Sequence, residues 1–421
     1  MSAASGRLTI RDLGYSPGLL PVGPTNSILD VTGVHIGQVT LPTSNSLPAG
    51  STATKGVTVI CPRAPKQWYK PCRAGRFVFN GNGEVTGHVS SPGSGQVEDW
   101  GYVNTPIALT NSLSLGAVID ASWDWILEQE DRAKFDLLDR SRHYGTPIVG
   151  ETADWIVNSD IRHSRLAKDD IQSAFDSLKN LESGGSVHEG QYGGGAGMTC
   201  HHHAGGTGTA SRLVGGGTDG DRQYTMGVLV QTNYGHLPSL SIGGVPVGRI
   251  LQKEKAAKEG VEPGALEFDP RKRAADQTGR ASDGSIVVIV ITDAPLSSTQ
   301  LRRVARHATS GLAQVGGHAI GSNFSGDIFL ALSTAEYGPE QLLDGSSLRG
   351  AFKPIQTYAS ETIKNESIDP FFIACAEATE EAILNSLVGG RPGTVGMDGT
   401  KIDGLPVKRV EELLRQYHVK V

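Results

Sequence analysis

A serine stands at the head of a strongly apolar run. Ser282-Asp283-Gly284-Ser285 leads directly into Ile286–Thr292, IVVIVIT. A serine hydroxyl is a poor nucleophile until a base takes its proton. Cutting the peptide bond in front of the serine supplies that base: the new α-amine, with an unperturbed pKa of about 8, lies beside the hydroxyl. Glycine at 284 helps such a cut, because it tolerates the backbone angles that would expose its carbonyl to the Ser285 hydroxyl. The charged stretch 252–282, which carries Pro and Gly, reads as an exposed connector that lets the old chain end withdraw afterwards. Asp-Gly-Ser is also ordinary turn chemistry, so the segment needs companions before it means anything.

Companions exist. In GSNFSGDIFLALST, 321–334, Ser325 and Asp327 sit in a polar turn before a strand. A hydroxyl and a carboxylate two residues apart can orient and polarise a nearby nucleophile. Asn233, in QTNYG at the end of a predicted strand, can offer its side-chain amide to an oxyanion. Each alone is an everyday turn or cap residue.

Other motifs are blander. His201-His202-His203 invites a metal, but consecutive residues on a regular element cannot all face one ion, and no HExxH is present. Gly215-x-Gly217-x-x-Gly220 matches a dinucleotide fingerprint in letters only, since it precedes a strand instead of opening a helix. No GxSxG elbow occurs. Asn323-Phe324-Ser325 is a glycosylation sequon only in a secreted chain. Cys61, Cys72, Cys200 and Cys375 are too widely spaced for a disulfide framework or a CxxC site and read as reduced structural thiols.

The elements that must position these groups are legible in part. The 421 residues, 38% hydrophobic and 19% charged, are enough for a substantial core and exclude a disordered or fibrous chain. Fifty-five glycines follow no Gly-X-Y period, so they serve turns and close approaches. A net charge of −6 without a basic stretch argues against a nucleic-acid footprint. There is no signal-peptide pattern and no 18-residue apolar stretch, so no membrane association is expected and a cytoplasmic location is the default. Residues 1–25 read as a polar surface arm. A strand with turns is predicted over 27–40, and strands over Val57–Cys61, Met226–Thr232, Ile286–Thr292 and Ile328–Ser333. Helices are predicted within 116–142, over Leu301–Val315, Ala376–Leu387 and Val407–Tyr417. Strands and helices mix without strict βαβ alternation, which points to a layered α+β architecture.

Taken together, the motifs resemble the DmpA family of N-terminal-nucleophile aminopeptidases, which includes β-peptidyl aminopeptidases and L-aminopeptidase/D-esterase-amidases. The matching stretches are NSILDV (26–31), NGNGEVTG (80–87), TNSLSLG (110–116), PIVGETAD (147–154), GGGAGM and GGTGTASR within 193–212, VLVQTNYG (228–235), DGSIVVIVITDAPL (283–296), SGDIFLALSTA (325–335), AEATEEAILNSL (376–387) and the closing GMDG and LP within 396–406. They follow family order over nearly the whole chain.

The resemblance implies a single domain over 1–421 with a four-layer αββα sandwich, cut into 1–284 and 285–421. It implies Ser285 as nucleophile, Ser325 and Asp327 in support, Asn233 at the oxyanion and Glu151 on the substrate's amine. Related members carry Glu where Asp327 stands, and a tyrosine where Ala153 or Trp155 falls. The implied activity is release of N-terminal amino acids from peptides, amides or esters through an acyl-enzyme, without metal or other cofactor, by a homo-oligomer that resembles a tetramer of processed protomers. Two other readings stay open at this level. One is an acyltransferase of similar architecture, a group similar to the glutamate N-acetyltransferases, which use threonine. The other is an unprocessed binding protein.

Overall fold

The structure is a computed structural model that describes residues 7–42, 53–81, 92–133, 145–155, 157–158, 160–216, 221–260, 284–316, 325–336, 359–391, 394–395 and 401–417. Two sheets lie face to face. The smaller contains β1 (His35–Leu41), β2 (Lys55–Cys61), β5 (Ile107–Asn111) and β6 (Ile148–Thr152), in the order β1-β2-β5-β6. The larger runs β4-β3-β12-β11-β10-β9, from β4 (Tyr102–Val103), β3 (Cys72–Asn80), β12 (Gly326–Ser333), β11 (Ser285–Thr292), β10 (Gln223–Asn233) and β9 (Thr207–Gly215). Among the described residues, seven α-helices occur: α1 (Pro92–Trp100), α2 (Leu115–Ala133), α3 (Lys168–Asp176), α4 (Val247–Glu259), α5 (Ser298–Gly316), α6 (Asp369–Val388) and α7 (Val407–Tyr417).

Three apolar seams separate four layers, because strand side chains alternate between faces. In β11, Val287, Ile289 and Ile291 point into the inter-sheet seam and meet Ile36, Ile60, Ile107 and Leu109 of the smaller sheet. Ile286, Val288 and Val290 point the other way, onto Leu301, Val304 and Ala308 of α5 and Ala374, Ala378 and Ala382 of α6. On the outer face of the smaller sheet, Val57, Val59, Ala108 and Val149 pack against Val118 and Trp125 of α2 and Ile171 and Phe175 of α3. This is an αββα sandwich. It explains the composition of β11: all eight residues are buried because both faces are covered, so Ile286–Ile291 is apolar without interruption instead of alternating.

Two parallel pairs, β5 with β6 and β11 with β12, break the otherwise antiparallel ladders. Each is bridged by a helix, α2 and α5 respectively, as a parallel crossover requires. The sheets approach closely near the rim, where a Cβ on Gly150 of β6 would stand 3.2 Å from Val287 Cγ1 of β11.

Several sequence expectations change. The N-terminal arm is pinned instead of lying loose on the surface. Ile10 and Leu13 of a 3-10 turn are buried, Arg7 Nη2 reaches Glu189 Oε1 at 2.7 Å, and Arg11 Nη2 reaches Glu381 Oε2 at 2.8 Å. Arg212, fully buried, joins Glu377 and Glu381 on α6. Hence α6 buries six polar residues, Glu377, Thr379, Glu380, Glu381, Asn385 and Ser386, three of them charged residues that helical periodicity would assign to solvent. The predicted strand 27–40 divides into a 3-10 turn at Ile28–Asp30 and β1. The front of the expected connector, 252–259, belongs to α4, while 261–283 lies outside the described residues. So do 134–142 of the helix expected within 116–142, Asn323 of the sequon, Gly217 and Gly220, residues 82–87 of NGNGEVTG, and 396–399 of GMDG. Strands β3, β5, β6 and β9 carried too weak a period to be predicted. No helix among the described residues is long and apolar enough to cross a membrane.

Candidate active site

Ser285 is the first residue of β11. The antiparallel ladder sets it opposite Asn233, the last residue of β10, and the parallel ladder sets it opposite Gly326, the first residue of β12. Strand ends that meet at one rim leave backbone groups without ladder partners, and these become available for chemistry. The Gly326 amide donates to Ser285 Oγ at 3.3 Å. Ser285 is 6% exposed, so its hydroxyl is largely shielded from solvent and an aimed N–H counts for more than in water.

Gly284 sits just ahead of this ladder. A Cβ there would fall 1.5 Å from the Asn233 carbonyl oxygen and 2.4 Å from Tyr234 Cα. The obstacle is backbone, so only glycine fits this crossing.

Asn233 faces the inter-sheet seam with Ser285. Its Nδ2 donates to the Ala153 carbonyl at 2.6 Å, and its Oδ1 accepts from the Thr199 amide at 3.1 Å. One N–H of the amide is therefore spent on holding the β6 exit against the end of β10. The other is the one that can be offered to an oxyanion. The Ala153 loop is itself anchored from below. Asp154, 1% exposed, accepts from Asn111 Nδ2 at 2.5 Å and from Asn158 Nδ2 at 2.8 Å. Burial pushes the Asp154 carboxyl above the usual carboxylate range, while these amides and Ser164 draw it back down.

Ser325 and Asp327 are fully buried, and the Ser325 hydroxyl donates to Asp327 Oδ1 at 2.8 Å. Asp327 lies inside β12 and not in the turn before it. Asn80 Nδ2 donates to the Ser325 carbonyl at 2.5 Å and ties β3 to this corner. Register separates the groups by face. Asp327 pairs with Ile286 and so lies on the α5–α6 side, whereas Ser285 and Asn233 face the opposing sheet. The two faces meet at the backbone nitrogen of Ser285.

Glu151 of β6 is 3% exposed and accepts from the Ser112 hydroxyl. Its strand neighbour Thr152 faces inward, where its Oγ1 accepts from Gln231 Nε2 at 2.8 Å. Glu151 thus occupies the rim near the Asn233–Ala153 tether but on the α2 side of its sheet.

The structure therefore gathers Gly284, Ser285, Asn233, Ser325 and Asp327 at one rim and sets Glu151 at its margin. Sequence reasoning missed the Gly326 amide and the Ala153 carbonyl, which carry no side-chain signal at all, and Tyr234, whose only hint was its place beside Asn233. The histidine run forms a tight turn between β7 (Thr199–Cys200) and β8 (His203–Ala204), with His201 and His202 in left-handed conformations at φ 48° and 64°. Among the described residues, no three His, Cys, Asp or Glu side chains are grouped so as to hold a metal ion. All four cysteines are buried and unbridged.

A nucleophile at a strand start inside an αββα sandwich defines the N-terminal-nucleophile hydrolases. The model of peptidase family S58 matches residues 26–402, and the chain belongs to that family. It is 36% identical over 420 residues to the β-peptidyl aminopeptidase BapA of Sphingosinicella microcystinivorans, covering 97% of this chain and 92% of the relative. Among solved structures it is similar to a Burkholderia sp. β-aminopeptidase, with TM-score 0.75, 36% identity, and coverage of 98% of this chain and 100% of the other. It is also similar to the L-aminopeptidase D-Ala-esterase/amidase of Ochrobactrum anthropi, described as a prototype for the serine aminopeptidases and a variant of the N-terminal-nucleophile hydrolase fold. There the TM-score is 0.76, with 32% identity and coverage of 97% and 98%. The chain is a hydrolase, an N-terminal-nucleophile aminopeptidase acting on N-terminal amide bonds.

Proposed function

We propose that the chain cuts its own Gly284–Ser285 bond into 1–284 and 285–421, and that the Ser285 so released is the nucleophile. The observation that carries this is the placement of Ser285 between Asn233 and Gly326, with the Gly326 amide 3.3 Å from its hydroxyl, behind a glycine that no other residue could replace. In the first step, Ser285 Oγ adds to the Gly284 carbonyl and the amide nitrogen takes the proton, leaving an ester. Water then hydrolyses that ester and frees both chain ends.

In turnover, Ser285 Oγ attacks the carbonyl of a substrate's N-terminal residue, and the Ser285 α-amine takes its proton. The Asn233 amide and the Gly326 N–H stabilise the oxyanion. Ser325 and Asp327, on the far face, hold the α-amine in place. The departing amine receives the proton, and water releases the acyl group. Glu151 at the rim pairs with the substrate's free amine, which restricts cleavage to the chain's first residue. The substrates are small peptides, aminoacyl amides or esters; the named activity of the relatives favours β-aminoacyl N-termini. We place the enzyme in the cytoplasm as a homo-oligomer of processed protomers, with no cofactor.

The test is fragment mass and N-terminal sequencing, followed by α- and β-aminoacyl p-nitroanilides. Two chains, one beginning at Ser285, together with hydrolysis are expected. Ser285→Ala remains one 421-residue chain and is inactive. Cleavage of that variant, or an intact wild type that hydrolyses nothing, refutes the assignment.

A further inference from the structure

Tyr234 follows Asn233 at the end of β10, and its side chain turns to the α5–α6 side, into the seam with Val230, Ile286 and Phe329. It is 3% exposed. Its hydroxyl is buried and has no hydrogen-bond partner among the described residues. A buried hydroxyl without a partner is unfavourable, and a phenylalanine would fill the same space without that cost.

Register shows what the hydroxyl is near. One step beyond the ladders, Tyr234 lies beside Gly284, whose hypothetical Cβ would meet Tyr234 Cα at 2.4 Å, and Gly284 lies beside Ser325. The middle position of this row has no side chain. The phenol therefore shares a face with the Ser325–Asp327 pair, and the Asp327 charge acts on it. Burial first, then the charges of Cys200 and Asp327, push the Tyr234 phenol up, so it stays protonated and its O–H is always a donor.

We propose that Tyr234 is a positioning residue whose hydroxyl, without a partner while the chain is intact, is taken up by the α-amine that appears at Ser285 when Gly284 is cut away. This rests on the self-processing reading above. The donors and acceptors balance. The phenol O–H points to the Asp327 carboxylate, its oxygen accepts an N–H from the amine, and the amine's lone pair is left facing the Ser285 hydroxyl. The Asn233 side of the same strand would then handle the oxyanion, and the Tyr234 side the base.

The titratable groups around this point are Asp327 from β12, Cys200 from β7, His201 from the β7–β8 turn and His236 behind them. Burial holds the His201 imidazole down at about 4 and the Cys200 thiol up at about 12, so neither changes charge across the working range of an amine.

The test is Tyr234→Phe, made both in the processed enzyme and in the uncleavable Ser285→Ala precursor. In the processed enzyme, kcat per cleaved chain falls about tenfold, as for loss of one positioning hydrogen bond, with KM little changed. The acid limb of the kcat/KM profile moves to lower pH by about half a unit, because the ammonium form loses an acceptor. The unfolding temperature falls in the processed background, and in the precursor it is unchanged or raised, because there the hydroxyl has no partner to lose. Equal thermal shifts in the two backgrounds, or an unmoved limb with kcat within about threefold, overturn the inference. If Tyr234→Phe does not fold, 3-fluorotyrosine at position 234 is read in the same way: its weaker acceptor oxygen must move the limb in the same direction, and an unmoved limb overturns the inference. Wild type that neither splits nor hydrolyses overturns the underlying reading instead, which separates the two failures.

Discussion

Asn233→Ala perturbs two functions at once, and the structure allows them to be told apart. The substitution removes the hydrogen bonds to the Ala153 carbonyl and from the Thr199 amide. At about 1 kcal/mol net for each bond, plus the cost of a Thr199 N–H left buried without its acceptor, the expected destabilisation is about 2–4 kcal/mol. Losing an oxyanion donor lowers kcat by about 10²–10³. Asn233→Asp separates the effects. It keeps an acceptor for Thr199 but removes both N–H groups and sets a carboxylate oxygen against the Ala153 carbonyl. Both variants should show the full drop in kcat, with KM near wild type, because the lost contact forms only in the transition state. The assay is urea unfolding alongside steady-state hydrolysis, with rates divided by the cleaved fraction from fragment masses. Either variant retaining kcat within about tenfold of wild type, while Asn233→Ala shows the stability loss, would leave Asn233 as a tether only and the oxyanion to other donors.

Gly284→Ala should fold the sandwich yet leave most of the chain uncut, because its Cβ meets the Asn233 carbonyl and pushes the scissile bond off the Ser285 hydroxyl; rapid, complete cleavage seen by gel would contradict this. His201 supplies a pH prediction. Burial lowers its folded pKa to about 4, below the ordinary value of 6.5, so between those values the unfolded chain binds the extra proton. Its contribution is complete above pH 6.5 and is lost as pH falls towards 4. His201→Asn, chosen because asparagine accepts the left-handed backbone at φ 48°, should lose less stability than wild type between pH 7 and 4.5 in urea titrations. An unchanged difference would refute the buried, neutral imidazole.

The apolar run Ile286–Thr292 was legible as a strand covered on both faces because nothing but burial makes seven such residues favourable together. The position of Ser285 at its head was legible for the same reason, and the ordered motifs named the companions Asn233, Ser325 and Asp327. The weakly patterned strands were not legible. β9, TGTASRLVG, pairs with its chain neighbour β10, but its burial comes from α6 and the Arg212 network, whose Arg212–Glu377 contact spans 165 residues. The N-terminal arm looked solvent-exposed because Arg7 and Arg11 are charged; their partners Glu189 and Glu381 lie 182 and 370 residues away.

Local order thus determined which residues could react and which strand carries the proposed nucleophile. Only the tertiary structure decided how they face one another. Alternation along paired strands places Ser285 and Asn233 on the inter-sheet side and Tyr234, Ser325 and Asp327 on the other. That division depends on register between distant strands, and a shift of one residue would exchange the two faces.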